Sequence, residues 1–178
     1  PPGGAIVTND SEIAEKIDSI AFPGMTANFD AAKSAALAVT MLDWKEFGRE
    51  YVAEMVLMSK TLASSLEEYD IPIFFGPLGH TQSHQFAVLA EEYGGGQQAS
   101  KLLRQSGFLA CGIGLPVQDI EGDMNGVRFG TPELVRWGMK AKHSTKLAEL
   151  VTKALKGDNV SDQVSKWRRT FNKIHFVN

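Results

Sequence analysis

The amino-acid sequence predicts an α/β fold in which a small sheet is covered by helices and preceded by long helices. Three observations support this prediction. An apolar stripe with helical spacing runs from Phe47 to Tyr69. After Asp70 come short runs of strand-forming residues separated by loops that contain Gly, Pro or His. The last of these runs is followed at Thr131 by three signals that begin a helix: a capping residue, a proline and an acidic residue.

The first part of the chain is predicted to be mostly helical. The run "AIVT" at 5–8 is typical of a short buried strand, and a brief amphipathic helix begins at Ser11. The sequence "FPG" at 22–24 interrupts the chain and begins a loop. Asn28 is a plausible N-cap of an Ala-rich helix, and the helix that carries the apolar stripe from Phe47 follows it.

The second part of the chain is predicted to alternate strands and helices. Gly107 is expected to end one helix, Thr131 to cap another, and two amphipathic helices to complete the chain. The change after Asp70 from helical spacing to short strand-forming runs predicts two domains. These are the end of a large domain at 1–70 and a small α/β domain at 71–178. The predicted strands are "IPIFF" (71–75), "HQFAVLA" (84–90), "FLAC" (108–111) and "GVRF" (126–129).

Composition and charge exclude several classes of function. The 178 residues are 43% hydrophobic and 22% charged, with a formal net charge of -3, so no global basic field attracts nucleic acid or an anionic membrane. No apolar run approaches the length of a transmembrane helix, and there is no signal-peptide pattern. The single cysteine, Cys111, is consistent with a reducing, cytoplasmic compartment, and we expect it to be a small buried hydrophobic residue.

Arg128 interrupts the apolar strand predicted at 126–129. Because side chains alternate along a strand, Val127 and Phe129 share one face while Arg128 points to the other. One interpretation is a solvated arginine on an edge strand or a structural ion pair. The other is a carboxylate receptor, since a guanidinium offers two parallel N–H donors that match the two oxygens of a carboxylate. The residue pattern alone leaves both open.

Two further motifs do not indicate a metal or phosphate site. His80 and His84 flank a loop whose sequence supplies no third ligand, so no metal is expected. The three glycines at 94–96 lack the Lys-Ser/Thr ending of a phosphate-binding loop and are interpreted as a linker.

Five stretches, in conserved order and approximate spacing, resemble the serine hydroxymethyltransferase family. The stretch around Arg128 resembles its Gly-Ile-Arg-x-Gly-Thr-Pro sequence, and the others resemble, in order, its Gly-Pro-x-Gly-Gly strand, Phe-Pro-Gly loop, following helix and Gly-Gly-Thr-Asp-Asn-His strand entry. Each match is weak alone, but the ordered set covers nearly the whole chain. The five stretches are "GVRFGTPELVRWGM", "PPGGAIVTN", "IAFPG", "NFDAAKSAALAV" and "GPLGHTQSHQFAVL".

The resemblance implies the C-terminal part of a pyridoxal-phosphate (PLP) enzyme of fold type I. In that family the arginine equivalent to Arg128 holds the α-carboxylate of the amino-acid substrate. The resemblance also implies cofactor contacts from Gly3, Gly4 and Thr26. It places the Schiff-base lysine a few residues before Pro1, so no catalytic residue is expected within these 178 residues.

Two departures from the family pattern bear on the cosubstrate. The Gly-rich continuation of the Phe-Pro-Gly loop is replaced by "FPGMTANF" at 22–29, and Asn28 stands in place of a histidine. The Asn-Lys-Asn stretch near the folate pocket is replaced by "CGIG" at 111–114. These departures put the use of tetrahydrofolate in doubt.

The resemblance predicts a hydroxymethyltransferase-like enzyme that acts at the Cα–Cβ bond of a β-hydroxy amino acid. One alternative is a folate-independent threonine aldolase or transaldolase, or an α-methylserine enzyme. A second alternative is a non-catalytic fragment or assembly module. The family also implies a homo-oligomer, a dimer or a tetramer, with its site at the subunit interface.

Overall fold

A computed structural model describes residues 5–28 and 30–178. Gly3 and Gly4, which the resemblance assigns to the cofactor, lie outside the described residues. The chain divides into two units, Pro1–Glu46 and Phe47–Asn178. The domain boundary near Asp70 stays a prediction for the whole protein.

The first unit contains helix α1, Ser11–Ser19, which begins where the sequence predicts. Asp10 caps it, because its carboxylate accepts hydrogen bonds from the Glu12 and Ile13 amides at 2.9 and 3.0 Å. A π-helical segment, Ile20–Met25, follows and is kinked at Phe22. The strand predicted at 5–8 is wrong: these residues are exposed and form no strand, since no strand among the described residues offers them a ladder.

Helix α2, Ala31–Glu67, is one continuous helix of 37 residues where the sequence predicts two. Its N-cap is Asp30 rather than the predicted Asn28, because the Asp30 carboxylate accepts hydrogen bonds from the amides of Ala32 and Lys33 at 3.0 and 3.3 Å. The apolar stripe is confirmed in the second unit, where its central members are buried. These are Tyr51, Met55, Met58, Leu62 and Leu66.

Three antiparallel strands form the sheet of the second unit, in the order β1-β3-β2. Strand β1 is Gln85–Leu89, β2 is Cys111–Ile113 and β3 is Gly126–Gly130. The strand predicted at 71–75 is reduced to an isolated bridge between Ile73 and Val88, since Phe75 adopts a left-handed φ of 57° that ends extended pairing. The strand predicted at 108–111 begins only at Cys111.

Four more α-helices lie in the second unit: α3, Gly96–Gln105; α4, Pro132–Arg136; α5, Ser144–Leu155; and α6, Ser161–Arg168. Gly107 follows α3 with a φ of 89°, which confirms its predicted role as a terminator. Among the described residues, no helix combines the length and the apolar character needed to cross a membrane.

Thr131 precedes α4 as predicted, but its side chain does not cap that helix. The Thr131 hydroxyl is buried and donates to the carbonyl of Met55 at 2.8 Å and to that of His84 at 3.1 Å. The prediction of a capping side chain is therefore wrong, because the sequence does not reveal that α2 supplies a buried carbonyl at this point. Thr131 ties the end of β3 to α2.

The three glycines at 94–96 are not a linker. Gly94 and Gly95 have φ angles of 76° and 111°, which favour glycine, and Gly96 begins α3 against the backbone of β2 and β3. A Cβ on Gly96 would overlap the carbonyl oxygen of Gly126 and lie 3.1 Å from the Cα of Gly112. These glycines therefore allow α3 to approach the sheet closely.

The core of the second unit lies between one face of the sheet and the helices. Phe86 and Val88 on β1 face it together with Val127 and Phe129 on β3. From the helices, the core receives fully buried side chains of α2, α3, α4 and α5, including Met58, Leu62, Leu66, Leu103, Val135 and Val151.

Candidate carboxylate site

Arg128 lies in the middle of the central strand β3, on the face opposite the core. Val127 and Phe129 are buried on one face and Arg128 is exposed on the other, which confirms the predicted alternation. Because β3 has a strand on each side, the interpretation of an arginine on an edge strand is wrong.

The neighbours of Arg128 on this face are all small. Ala87 on β1 and Cys111 on β2 are its direct cross-strand partners. Along β3, the nearest residues on the same face are Gly126 and Gly130, which have no side chain. We call the sheet face centred on these five residues the arginine face. Its composition leaves the guanidinium clear of steric neighbours in its own sheet.

No hydrogen bond or ion pair holds the Arg128 guanidinium within residues 5–28 and 30–178. The interpretation as a structural ion pair is therefore not supported by the described part of the chain. A guanidinium can satisfy two parallel N–H donors with one carboxylate, so an exposed and unpaired arginine is chemically able to receive an anion.

The two ends of the arginine face differ in polarity. At the Gly126 end, Leu89 and Ile113 are the cross-strand partners of Gly126, and the Leu115 side chain lies over it. All three side chains are half-buried. At the other end, Gln85 pairs with Gly130 and is exposed. An apolar patch therefore borders the guanidinium on one side and an open polar end on the other.

Asn125 fixes the loop that carries Leu115. It is 5% exposed, and its Oδ1 accepts a hydrogen bond from the Leu115 amide at 2.6 Å. Its Nδ2 donates to the carbonyls of Leu115, Val117 and Gln118 at 2.9, 3.2 and 3.2 Å. Asn125 was not predicted as a site residue, and its one signal in the sequence is an amide side chain directly before a predicted strand.

Thr26, the predicted contact of the cofactor phosphate, uses its donors within its own loop. Its amide and its hydroxyl both donate to the carbonyl oxygen of Ala21, at 2.8 and 2.6 Å. The first free amides of α2 donate to the Asp30 carboxylate, whose negative charge opposes a phosphate at this helix start. The described residues around Thr26 thus do not form a phosphate cradle in this conformation, and the role of Thr26 stays a prediction.

Other residues whose side chains could bind a ligand or react have structural partners or lie on the surface. The Nε2 atom of His80 lies 2.9 Å from Oε2 of Glu67, within hydrogen-bond distance. In the described ranges, no group of three His, Cys, Asp or Glu residues comes together to hold a metal. Arg136 donates to the Phe176 carbonyl and lies over the Tyr51 ring. Cys111 is exposed, so the prediction that it is buried is wrong: it lies on the arginine face and not on the core face.

The described cavities lie away from the arginine face. One cavity, of about 260 Å³, is lined by residues that include Phe47, Glu54 and His175. Arg128 does not line this cavity or either of the two others described in the second unit. None of these three cavities is therefore the small, enclosed pocket that the carboxylate interpretation requires.

Comparison with solved structures gives the fold. The structure of L-threonine transaldolase from Pseudomonas fluorescens superposes with a TM-score of 0.82 at 23% sequence identity, and the match covers 96% of this chain and 40% of that one. The fold class predicted from the sequence, that of the C-terminal portion of fold-type I PLP enzymes, is confirmed.

Comparison with curated proteins shows which enzymes the chain resembles in sequence. The chain is 54% identical over 99% of its length to an α-methylserine aldolase from a Ralstonia species, and 46% identical to one from Variovorax paradoxus. It is 32% identical to the serine hydroxymethyltransferase of Methanothermobacter marburgensis, again over 99% of its length. The predicted resemblance to serine hydroxymethyltransferases is therefore confirmed, and α-methylserine aldolases share it. The chain spans about two fifths of the length of these relatives (41 to 42%). No protein-family model matches the chain.

Proposed function

We propose that this chain is part of a PLP-dependent enzyme that makes or breaks the Cα–Cβ bond of a β-hydroxy amino acid, with Arg128 holding the substrate carboxylate. The observation that carries the proposal is the guanidinium of Arg128 on the central strand, which has small neighbours and no partner among residues 5–28 and 30–178. The serine hydroxymethyltransferase and α-methylserine aldolase names of the relatives supply the reaction class.

Arg128 contributes orientation in this proposal. Two parallel N–H donors fix a carboxylate in one plane, and the carboxylate in turn fixes the direction of the bonds at Cα. Holding the bond to be broken in one direction accounts for a large share of the rate that a protein adds to such a reaction. Since β3 is bonded to a strand on each side, the Cα of Arg128 is held rigidly.

PLP, when bound, supplies an electron sink for the electron pair left at Cα when the Cα–Cβ bond breaks. The described residues fit the acid group of the substrate and do not by themselves form a cradle for the cofactor phosphate. Gly3, Gly4 and Thr26 remain the proposed cofactor contacts in this chain, and we assign no catalytic residue within it.

Within this class, we favour aldol chemistry without tetrahydrofolate over folate-dependent hydroxymethyl transfer. Support comes from the higher identity to α-methylserine aldolases, 54% against 32% for the hydroxymethyltransferase of M. marburgensis. It also comes from the arginine face, where "CGIG" contributes the apolar Ile113 in place of an amide-rich stretch. Turnover of serine that depends strictly on tetrahydrofolate would contradict this choice.

The proposed assembly is a homo-oligomer, a dimer or a tetramer, in the cytoplasm. The exposed guanidinium supports it, because a carboxylate site needs walls that exclude water and the described residues do not supply all of them. The test is the mass of the complete protein by light scattering.

The proposed function is tested by changing Arg128 in the complete protein. Arg128→Lys keeps the charge but loses the bidentate geometry, and Arg128→Ala loses both. We expect Arg128→Ala to lower kcat/KM for the amino-acid substrate by about 100-fold or more, since losing one partner of a charge pair costs roughly 2–5 kcal/mol. Arg128→Lys should fall between wild type and Arg128→Ala.

A matched control is Arg104→Ala, which removes an exposed arginine of α3. Arg104→Ala should leave kcat/KM unchanged, and both Arg128 variants should keep the absorbance of bound cofactor and the Tm of the wild type. Unchanged kcat/KM in Arg128→Ala would overturn the proposal. Absence of both cofactor absorbance and turnover in the wild type would favour the alternative of a non-catalytic assembly module.

A further inference from the structure

One cavity of the second unit has a lining that is apolar on one side and charged on the other. Its walls come from α2, from the residues of α4 and just after it, and from the C-terminal segment, and we call it the C-terminal cavity. Its volume of about 260 Å³ is just below the range of about 300 to 1,000 Å³ that holds drug-sized ligands. A ligand for this cavity is therefore small.

The apolar side of the C-terminal cavity is formed by packed side chains. Phe47 on α2 and Phe176 in the C-terminal segment meet edge to face, with ring centroids 6.5 Å apart. Val135 of α4 and Met139 also line the cavity, and both are buried in the core. An apolar group that enters the cavity leaves water for surfaces that folding has already ordered.

The charged side of the C-terminal cavity has an excess of negative charge. Glu50 and Glu54 are four residues apart on α2, so their side chains share one face of the helix, and like charges at this spacing repel. Lys140 Nζ lies 3.7 Å from Oε1 of Glu54, which is too far for a hydrogen bond. Within residues 5–28 and 30–178, the Glu50 carboxylate has neither a hydrogen bond nor an ion pair. Two carboxylates and one ammonium, with His175 counted as neutral, leave a net charge of -1.

The wall formed by the C-terminal segment is held in place by specific contacts. The Phe176 ring stacks on the Tyr51 ring with centroids 5.0 Å apart. The Arg136 guanidinium donates to the Phe176 carbonyl at 2.9 Å, and the Arg136 carbonyl accepts a hydrogen bond from the His175 amide at 2.8 Å. Phe176 has a left-handed φ of 60°, which costs free energy in a residue other than glycine. The contacts therefore maintain a conformation that the local sequence does not favour.

We propose that the C-terminal cavity binds a small organic cation, an ammonium that carries an apolar group. The ammonium lies at the Glu50 and Glu54 carboxylates, and the apolar group lies on the side lined by Phe47 and Phe176. The positive charge of the ligand follows from the excess negative charge of the cavity, and its size follows from the volume. The inference does not depend on the proposed function, because Arg128 does not line this cavity.

The test uses the complete protein and three compounds that share a benzene ring and differ in charge. The cation is N,N-dimethylbenzylammonium, a tertiary amine that cannot form a Schiff base and so does not react with PLP. Benzyl alcohol is the neutral compound and phenylacetate is the anion. Titration calorimetry measures the dissociation constant of each. We expect the cation to bind at least about threefold more tightly than benzyl alcohol and phenylacetate to bind most weakly, because pairing with an exposed charge changes a binding constant by a few fold.

Two variants of the cavity should change the affinity for the cation in opposite directions. Glu50→Gln removes a carboxylate and should weaken binding by about threefold. Lys140→Gln removes the ammonium that competes for Glu54 and should strengthen binding by a similar factor, an effect that damage to the fold does not produce. The matched control is Glu68→Gln, which removes an exposed carboxylate outside the cavity and should leave the affinity unchanged.

The Tm of each variant shows whether it is folded before its affinity is compared. Weaker binding of the cation in Glu50→Gln and tighter binding in Lys140→Gln, with no change in Glu68→Gln, supports the inference. Three results would overturn it: no binding of the cation by the wild type, equal affinity for all three compounds, or an affinity for the cation that both cavity variants leave unchanged.

Discussion

The two faces of the three-stranded sheet differ in burial and in chemistry. On the core face, Phe86 and Phe129 stack with ring centroids 5.4 Å apart, and Val88 and Val127 beside them are fully buried. On the arginine face, the position between Val127 and Phe129 carries an exposed cation. Neighbouring residues on one strand therefore differ completely in burial, charge and packing.

This difference teaches that the centre of the arginine face contributes little to the stability of the sheet. Apolar side chains stabilise a sheet when they leave water, and on the arginine face the cross-strand partners of the cation are only Ala87 and Cys111. A charged side chain without a partner gains nothing from its position in folding. A position that folding does not require is free to be determined by a ligand.

The largest expected effect is on the core face. Phe86→Ala removes a buried ring and its stacking contact with Phe129. It should lower the free energy of unfolding by about 3–5 kcal/mol. The adjacent Gln85→Ala, on the arginine face, should change it by less than about 0.5 kcal/mol. Denaturant unfolding of the complete protein measures both. Equal losses in the two variants would mean that the faces are not distinct in stability.

An intermediate effect is expected at the end of β3. Thr131→Val keeps the volume but removes the buried hydroxyl that donates to the carbonyls of Met55 and His84, and should cost about 1–3 kcal/mol. Thr131→Ser keeps the hydroxyl and should cost less. If Thr131→Val unfolds at the same denaturant concentration as wild type, the link from β3 to α2 does not stabilise the core face.

Local patterns predicted the elements whose partners are close in sequence. The stripe on α2, the terminating Gly107 and the alternation at Arg128 each follow from spacing or from backbone chemistry within a few residues, and all are confirmed. These patterns did not distinguish between a solvated Arg128, an Arg128 in an ion pair and an Arg128 that binds a ligand. The prediction that Arg128 binds a carboxylate came from the resemblance to a known family.

Features that depend on distant partners were not predictable in the same way. Thr131 has the sequence context of an N-cap, but its hydroxyl donates a hydrogen bond to the carbonyl of Met55, which lies 76 positions away in α2. Asn125 looks like an ordinary loop residue until the fold places residues 115–118 around it. The burial of Cys111 was predicted from its residue type, yet the register of β2 against β3 puts it beside Arg128 on the exposed face. The register depends on how two strands pair, so the sequence of one strand alone does not predict it.

The smallest expected effect concerns the helix that covers the core face. The Asp123 carboxylate accepts hydrogen bonds from the Gln97 and Gln98 amides at 2.8 and 3.1 Å and so caps α3 from a distant loop. Desolvation acts to raise the pKa of Asp123, but hydrogen bonds from the Gln97, Met124 and Gln98 amides, together with the charge of Lys101, outweigh it and lower the pKa below its ordinary value.

Because the pKa of Asp123 is lowered by folding, the ionised carboxylate stabilises the protein above the ordinary aspartate pKa, and this stabilisation is lost as the pH falls through the lowered value. We therefore expect Asp123→Asn to lower the Tm modestly near neutral pH and to reduce the further loss of Tm on acidification below about pH 4. Asp119→Asn, on the same loop, is the control and should follow the wild type at every pH. If Asp123→Asn and wild type lose Tm in parallel through the acid range, the carboxylate does not hold α3 on the sheet, and the stability of the core face must come from apolar packing alone.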